Sequence, residues 1–164
     1  MITIKKVLLP GEIQVVAKLA SNIWNEHYLP IIGQEQVNYM IKKFQSEKAI
    51  AKQIKSENQE YYLICYQDEP SGYFAIKPDG HELFLSKIYI VKEKRGTGLG
   101  KEGLKFIIGR AKELGANAIT LTVNKYNINS IKAYEKMGFK NTGSIVQDIG
   151  SGFVMDDFKM RLVL

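Results

Sequence analysis

The chain has 164 residues, 45% hydrophobic and 24% charged, and a net charge of +6; this is the make-up of one globular domain over 1–164, large enough to bury a core, and it excludes a disordered chain. No apolar run is long enough to span a bilayer, and MITIKKVLLPGEI lacks a signal-peptide core before Pro10, so no membrane attachment is expected. The lone Cys65 can form no internal disulfide; a small buried core side chain in a reducing cytoplasm is the expectation.

Residues 2–8 alternate and read as a strand ended by Pro10-Gly11. Ile13, Val16, Ala17, Ala20 and Trp24 have helical spacing, which predicts a helix from Glu12 to Trp24, with Pro30 and Gly33 breaking it. A second helix is expected over about 34–44, and a helical turn or two in the polar stretch 46–58. From Tyr61 the period becomes two. Glu69-Pro70-Ser71-Gly72 and Pro78-Asp79-Gly80 are turn signals, dividing strands at about 61–67, 72–77 and 82–91. Next come a glycine-rich turn, a helix from Leu99 to Leu114, a strand at 117–123, a helix at 127–137, and strands near 139–148 and 153–163. The alternation predicts an α/β fold around a central mixed sheet flanked by helices.

The turn is Arg95-Gly96-Thr97-Gly98-Leu99-Gly100-Lys101, between a strand and a helix N-terminus. Free backbone N–H groups and the positive end of a helix dipole suit a phosphate or pyrophosphate there. Gly96, Gly98 and Gly100 would let the backbone turn left-handed and approach an anion. A nucleoside-triphosphatase loop fails at two positions, because Arg95 stands where a glycine is needed and Glu102 replaces the Ser/Thr. A dinucleotide fingerprint fits Gly98 to Gly103, but Lys92 to Arg95 separate it from its strand, and the next strand ends in Asn124 rather than an acid.

A second motif runs from Asn127 to Phe139 as N-x-x-S-x-x-x-Y-x-x-x-G-F, with Ser130 and Tyr134 at its inner positions. Locally it is a short helix with an Asn cap and a Gly at its end. R-x-x-G-x-G followed about thirty residues later by this motif resembles the GNAT superfamily of acetyl-CoA-dependent N-acetyltransferases. The resemblance implies a mostly antiparallel sheet whose fourth and fifth strands, here 82–91 and 117–123, splay apart to admit the pantetheine arm. It implies acetyl-CoA as cosubstrate and no metal. The backbone of Tyr89, Ile90 and Val91 would pair with pantetheine, the loop from Arg95 to Lys101 would take the pyrophosphate, and Asn127 and Ser130 would lie beside the cofactor. Tyr134 would be the general acid for the departing thiolate, since a phenol stays protonated at neutral pH.

Many relatives carry a glutamate as base in the strand before the loop. Here the inner positions are Phe84, Leu85, Ser86 and Lys87. Glu82, Glu26 and His27 are alternatives, and His81 reads as a turn residue, so no base is assigned. Trp24, Glu26 and Tyr28 at a helix end, facing Asp156 and Asp157 in the last hairpin, would suit a cationic amine. W-N-x-x-Y and M-D-D-F-x-M are similar to bacterial polyamine N-acetyltransferases.

Seven basic residues lie between Lys92 and Lys112, against Glu93 and Glu102, so much of the positive charge collars the proposed pyrophosphate loop. That speaks against nucleic acid, which would need a basic stripe with exposed aromatics. The expected function is acetyl transfer to a primary amine of a small cationic acceptor. Acetylation of a protein N-terminus or lysine, and a non-catalytic acyl-CoA sensor, are the competing readings; a homodimer is left open.

Overall fold

In the computed structural model, which describes residues 1–164, the elements are β1 (Ile2–Lys6), α1 (Pro10–Ile32), α2 (Gln34–Phe44), α3 (Glu47–Ser56), β2 (Glu60–Tyr66), β3 (Glu69–Asp79), β4 (Glu82–Ile90), α4 (Leu99–Glu113), β5 (Ala118–Asn124), α5 (Ile128–Lys136), β6 (Lys140–Gly150) and β7 (Phe153–Val163). The seven strands form one sheet in the order β1-β2-β3-β4-β5-β7-β6. All neighbours are antiparallel except β4 and β5. No helix is long and apolar enough to cross a membrane.

Three expectations need correction. The first helix begins at Pro10 and continues through Pro30 to Ile32. Proline suits a first helical turn, where its missing donor is not needed, and Glu12 closes that end by accepting the Leu8 and Leu9 N–H groups at 2.9 and 2.8 Å. The stretch after Ser46 is a full helix, because Ser46 accepts the Ala49 N–H at 3.2 Å and Ile50 and Gln53 are buried beneath it. The turn between β2 and β3 is made by Gln67 and Asp68, both at positive φ, so Pro70 to Gly72 already belong to β3.

Two irregularities in β4 shape everything that follows. Ala75 faces Lys87 while Ile76 faces Leu85, so Ser86 is an extra residue that reverses the alternation. Before the bulge, Leu83 and Leu85 point into the core under α4. After it, Ile88 packs on that same core, whereas Tyr89 packs on the opposite core with α1 to α3. Lys87, two residues before Tyr89, shares that second face. The second irregularity is the pairing with β5, which covers only Glu82↔Ala118, Leu83↔Ile119 and Phe84↔Thr120. Beyond Phe84 the strands part, the splay expected of strands four and five.

Candidate active site

The gap between β4 and β5 opens into a cavity of about 390 Å³, roofed by α1 to α3 on one side and bounded by α5 and the β6–β7 hairpin on the other. Tyr134 enters it from the last turn of α5. The Gly138 N–H donates to the Glu135 carbonyl and the Phe139 N–H to the Tyr134 carbonyl, both at 3.0 Å. Gly138 sits at φ +102 and Phe139 is buried in the core. This closure explains the Y-x-x-x-G-F spacing: the tyrosine's own carbonyl is captured by the residue that anchors the next strand. The ring also meets Phe139 edge-on, with centroids 5.6 Å apart. Burial pushes the Tyr134 phenol well above its ordinary pKa, with the nearby Tyr28 adding to the effect, so it is a protonated donor at neutral pH.

Asp157 enters from β7. It pairs with Asn124 of β5 and is fully buried, yet neither carboxylate oxygen has a hydrogen-bond partner. Burial, helped by the Asp156 charge, raises its pKa to about 6; Thr122 and Lys125 pull the other way. Asp156 points to the other face of the sheet, where it forms an ion pair with Lys125 at 2.8 Å. Strand alternation separates these adjacent acids, and only Asp157 lines the cavity.

Trp24 and Tyr28 line the cavity, joined by Tyr89. The Tyr28 and Tyr89 hydroxyls are 3.0 Å apart, and Trp24 Nε1 donates to Tyr73 Oη at 3.2 Å. Glu26 does not join them: it is exposed and lines a separate cleft with Val91 and Glu93. It lies two positions from Trp24 and from Tyr28 on a continuous helix, hence on a different face. Glu82 is held at the far end of β4 by Arg161, 2.9 Å away, and His27 is outside the cavity wall. Burial and the Arg95 charge lower the His27 pKa, with Asn127 opposing. Neither lines the cavity.

The glycine-rich loop follows a short 3-10 turn at Lys92–Lys94. Gly96 and Gly98 adopt φ of +80 and +86, as anticipated, but Gly100 is an ordinary helical residue with open space where a Cβ would stand. The first α4 bond runs from Glu102 N–H to the Gly98 carbonyl, leaving the Leu99, Gly100 and Lys101 N–H groups without helical acceptors. Thr97 Oγ1 donates to the Lys94 carbonyl, and Arg95 Nε donates to the Ile90 carbonyl at 3.1 Å. Lys101 is exposed at the helix start, beside this loop. Arg110, counted with the basic collar, instead binds Glu60 and Glu113. The loop follows β4 in the chain, Phe84 to Tyr89 of β4 line the cavity, and the β4 edge beyond Phe84 is open, so free N–H donors suited to a phosphate stand at the end of the strand that borders the cavity. Asn127 is buried and caps α5, its Oδ1 accepting the Ser130 N–H at 3.4 Å, and both residues reach the cavity wall. The chain has no cluster of His, Cys, Asp and Glu fit to hold a metal ion.

The cavity wall also holds a buried basic side chain. Lys87 lines the cavity on the face that Tyr89 shares with α1 to α3, and its Nζ donates to Tyr61 Oη at 3.2 Å. Its only sequence signal was a basic residue where a glutamate was sought.

A family model described as acetyltransferase (GNAT) domain matches residues 28–162. Peptidyl-lysine N-acetyltransferase YjaB of Salmonella typhimurium is 34% identical over 94 residues, which cover 57% of this chain and 59% of that protein, so the match spans less than two thirds of that relative. A Bacillus subtilis subsp. natto protein named "Probable spermine N(1)-acetyltransferase" is 34% identical over 126 residues, 70% of this chain and 79% of that one. Among solved structures, the PaiA N-acetyltransferase of Thermoplasma acidophilum in complex with coenzyme A matches with a TM-score of 0.80 and 19% identity, covering 100% of this chain and 99% of that one. That likeness shows the fold. With the family match over most of its length, the chain belongs to the GNAT family of N-acetyltransferases.

Proposed function

We propose that this protein transfers an acetyl group from acetyl-CoA to a primary amine by direct attack on the thioester, with Asp157 as general base and Tyr134 as general acid. The observation that carries the reading is the pair itself. An unpartnered buried carboxylate and a protonated phenol line one cavity where β4 and β5 part. Support for acetyl-CoA comes from the free N–H groups at the α4 N-terminus, the left-handed Gly96 and Gly98, and the coenzyme A held by a structural neighbour.

An amine arrives protonated and must lose a proton before it can attack. Asp157 attracts the ammonium and takes that proton, and its raised pKa makes the transfer less uphill than to an ordinary carboxylate. The neutral amine then adds to the thioester carbonyl, the C–N bond forms and the C–S bond breaks. Tyr134 gives its proton to the departing sulfur, the acetylated nitrogen loses its second proton to the tyrosinate directly or through water, and Asp157 releases the first proton to solvent. Tyr28 and Tyr89, with linked hydroxyls, and Trp24 form the apolar wall that excludes water from the thioester.

Acetylation of a protein lysine or N-terminus is the second reading, favoured by what the Salmonella relative is named for. A thiol-release assay with acetyl-CoA across small amines and lysine peptides tests both. Release with free amines supports the small acceptor, and release only with peptides moves the function to proteins. A chain that binds acetyl-CoA but releases no thiol with any amine is a sensor, and the proposal fails.

A further inference from the structure

The chemistry just described uses one carboxylate and one phenol; it has no use for a buried cation. Lys87 nevertheless stands in the acceptor cavity, turned there by the Ser86 bulge. No carboxylate lies within ion-pair distance of it, although it is buried, whereas five other basic side chains form six ion pairs with acids. Tyr61 takes one of its three donor hydrogens and offers its ring face at 5.4 Å. That hydroxyl is itself spent, donating to Gln53 Oε1 and accepting from Gln45 Nε2 at 3.1 Å, so it supplies no negative charge. Burial pulls the Lys87 pKa down to about 8, with Glu57 the only acid opposing it, so the side chain remains mostly charged at neutral pH. Glu57 and Asp148 lie at the solvent-facing rim, where both are exposed, and Asp148 already accepts the Gly150 N–H at 2.8 Å. Water and salt screen those acids, whereas Lys87 and Asp157 act within the cavity. The cavity is therefore bipolar. A purely cationic chain such as a polyamine would bring positive charge onto Lys87.

We propose that the acceptor is an amine bearing a carboxylate several bonds away, the carboxylate docking on Lys87 while the amine faces Asp157. Lys87 is on β4 and Asp157 on β7, two strand positions apart, which is about 10 Å between backbones at ordinary spacing and more where the strands splay. The Lys87 ammonium also leans toward Tyr61 on β2, away from Asp157. An acceptor whose amine and carboxylate share one carbon is too short for both contacts; an ω-amino carboxylate or a short peptide with free ends is long enough. This inference rests on the transferase reading for the amine end only.

The test compares 6-aminohexanoate, its primary amide and 1,6-diaminohexane, by kcat/KM and by calorimetry on the coenzyme A complex. The wild-type chain should prefer the carboxylate over the amide by about tenfold or more, the scale of a charge-assisted hydrogen bond, with the diamine poorest. Lys87→Met should shrink that advantage to about twofold or less, and Lys87→Glu should turn the preference toward the diamine. The wild-type ranking stands without either variant. A diamine preferred by the wild type, equal values for all three, or an advantage that survives Lys87→Met overturns the carboxylate subsite. Saturable carboxylate binding with no turnover of any amine would sink the transferase reading and leave the subsite standing; turnover without charge discrimination would do the reverse.

Discussion

The glycine loop and the cavity flank the same strand, β4, yet they are built on different logic. The loop works through backbone: left-handed Gly96 and Gly98 and the unpaired N–H groups of Leu99 to Lys101. Its parts are contiguous, and a change of side chain at any loop position other than the left-handed Gly96 and Gly98 leaves those donors in place. The cavity works through side chains gathered from distant segments, Trp24 and Tyr28 of α1, Lys87 of β4, Tyr134 of α5 and Asp157 of β7. Each is aimed by strand or helix parity, so moving a neighbour by one position would turn it away. Outside its two left-handed glycines, recognition by backbone tolerates substitution, and recognition by parity does not.

The sharpest way to break this comparison is to remove chemistry without shape. Asp157→Asn and Tyr134→Phe should each lower kcat about 10²- to 10⁴-fold while acetyl-CoA affinity stays near wild type. In the wild type the base is active only when ionised, so kcat/KM should rise with pH through a limb near 6 and that limb should vanish in Asp157→Asn. Steady-state kinetics over pH 5 to 9 check both; wild-type turnover in either variant returns that residue to packing. The complementary change attacks the loop. Gly98→Asp brings a negative side chain to the α4 N-terminus and should weaken acetyl-CoA binding on the order of tenfold or more by calorimetry. Equal affinity would show that the pyrophosphate sits elsewhere.

A third outcome concerns stability. The Asp157 carboxyl binds its proton more tightly folded, at about 6, than at its ordinary 3.8. Its contribution is thus fully favourable below about 3.8 and is lost as pH rises through 6, a cost of at most about 3 kcal/mol. Asp157→Asn should therefore raise the unfolding free energy at pH 8 and change it little at pH 4, read by urea melts at the two pH values. No difference between them would mean the carboxylate is solvated. The smallest effects belong to two acids that parity excludes. Glu26→Gln should leave KM within about twofold. Asp156→Asn should do the same at pH 8 while moving the acid limb of the rate profile slightly downward, because Asp156 helps to raise the Asp157 pKa. A large KM rise in either would restore the wider acidic pocket.

What was legible in the sequence divides along the same line. Both motifs, the sheet and the splay followed from local spacing and resemblance, because turns and caps are written in adjacent residues. Tyr134 was legible for this reason, its place fixed by Gly138 and Phe139. Asp156 and Asp157 were proposed together, although neighbours on a strand cannot share a face; alternation alone would have chosen one, but which one depends on the Asn124↔Asp157 register. Lys87 was out of reach. Its direction comes from the extra residue at Ser86, and a bulge leaves no mark in composition or periodicity. A proline at position 30 signals a helix stop, yet α1 runs through it to Ile32, with Ile23, Trp24 and Tyr28 buried in the turns before it.

The parting of β4 from β5 leaves the sheet one partner short in its middle, where most proteins are most rigid. From Leu85 onward, β4 shows β5 a side with no ladder opposite it. A bound pantetheine arm would serve as the missing strand, making the cosubstrate a piece of the protein's own architecture for as long as it stays. The free chain should then exchange the amide hydrogens facing the gap faster than those of β3, and ligand at about a hundred times its dissociation constant should add about 2.7 kcal/mol to the whole fold. Each turnover would then be a brief completion of the sheet, and each product release a return of β4 to its open edge.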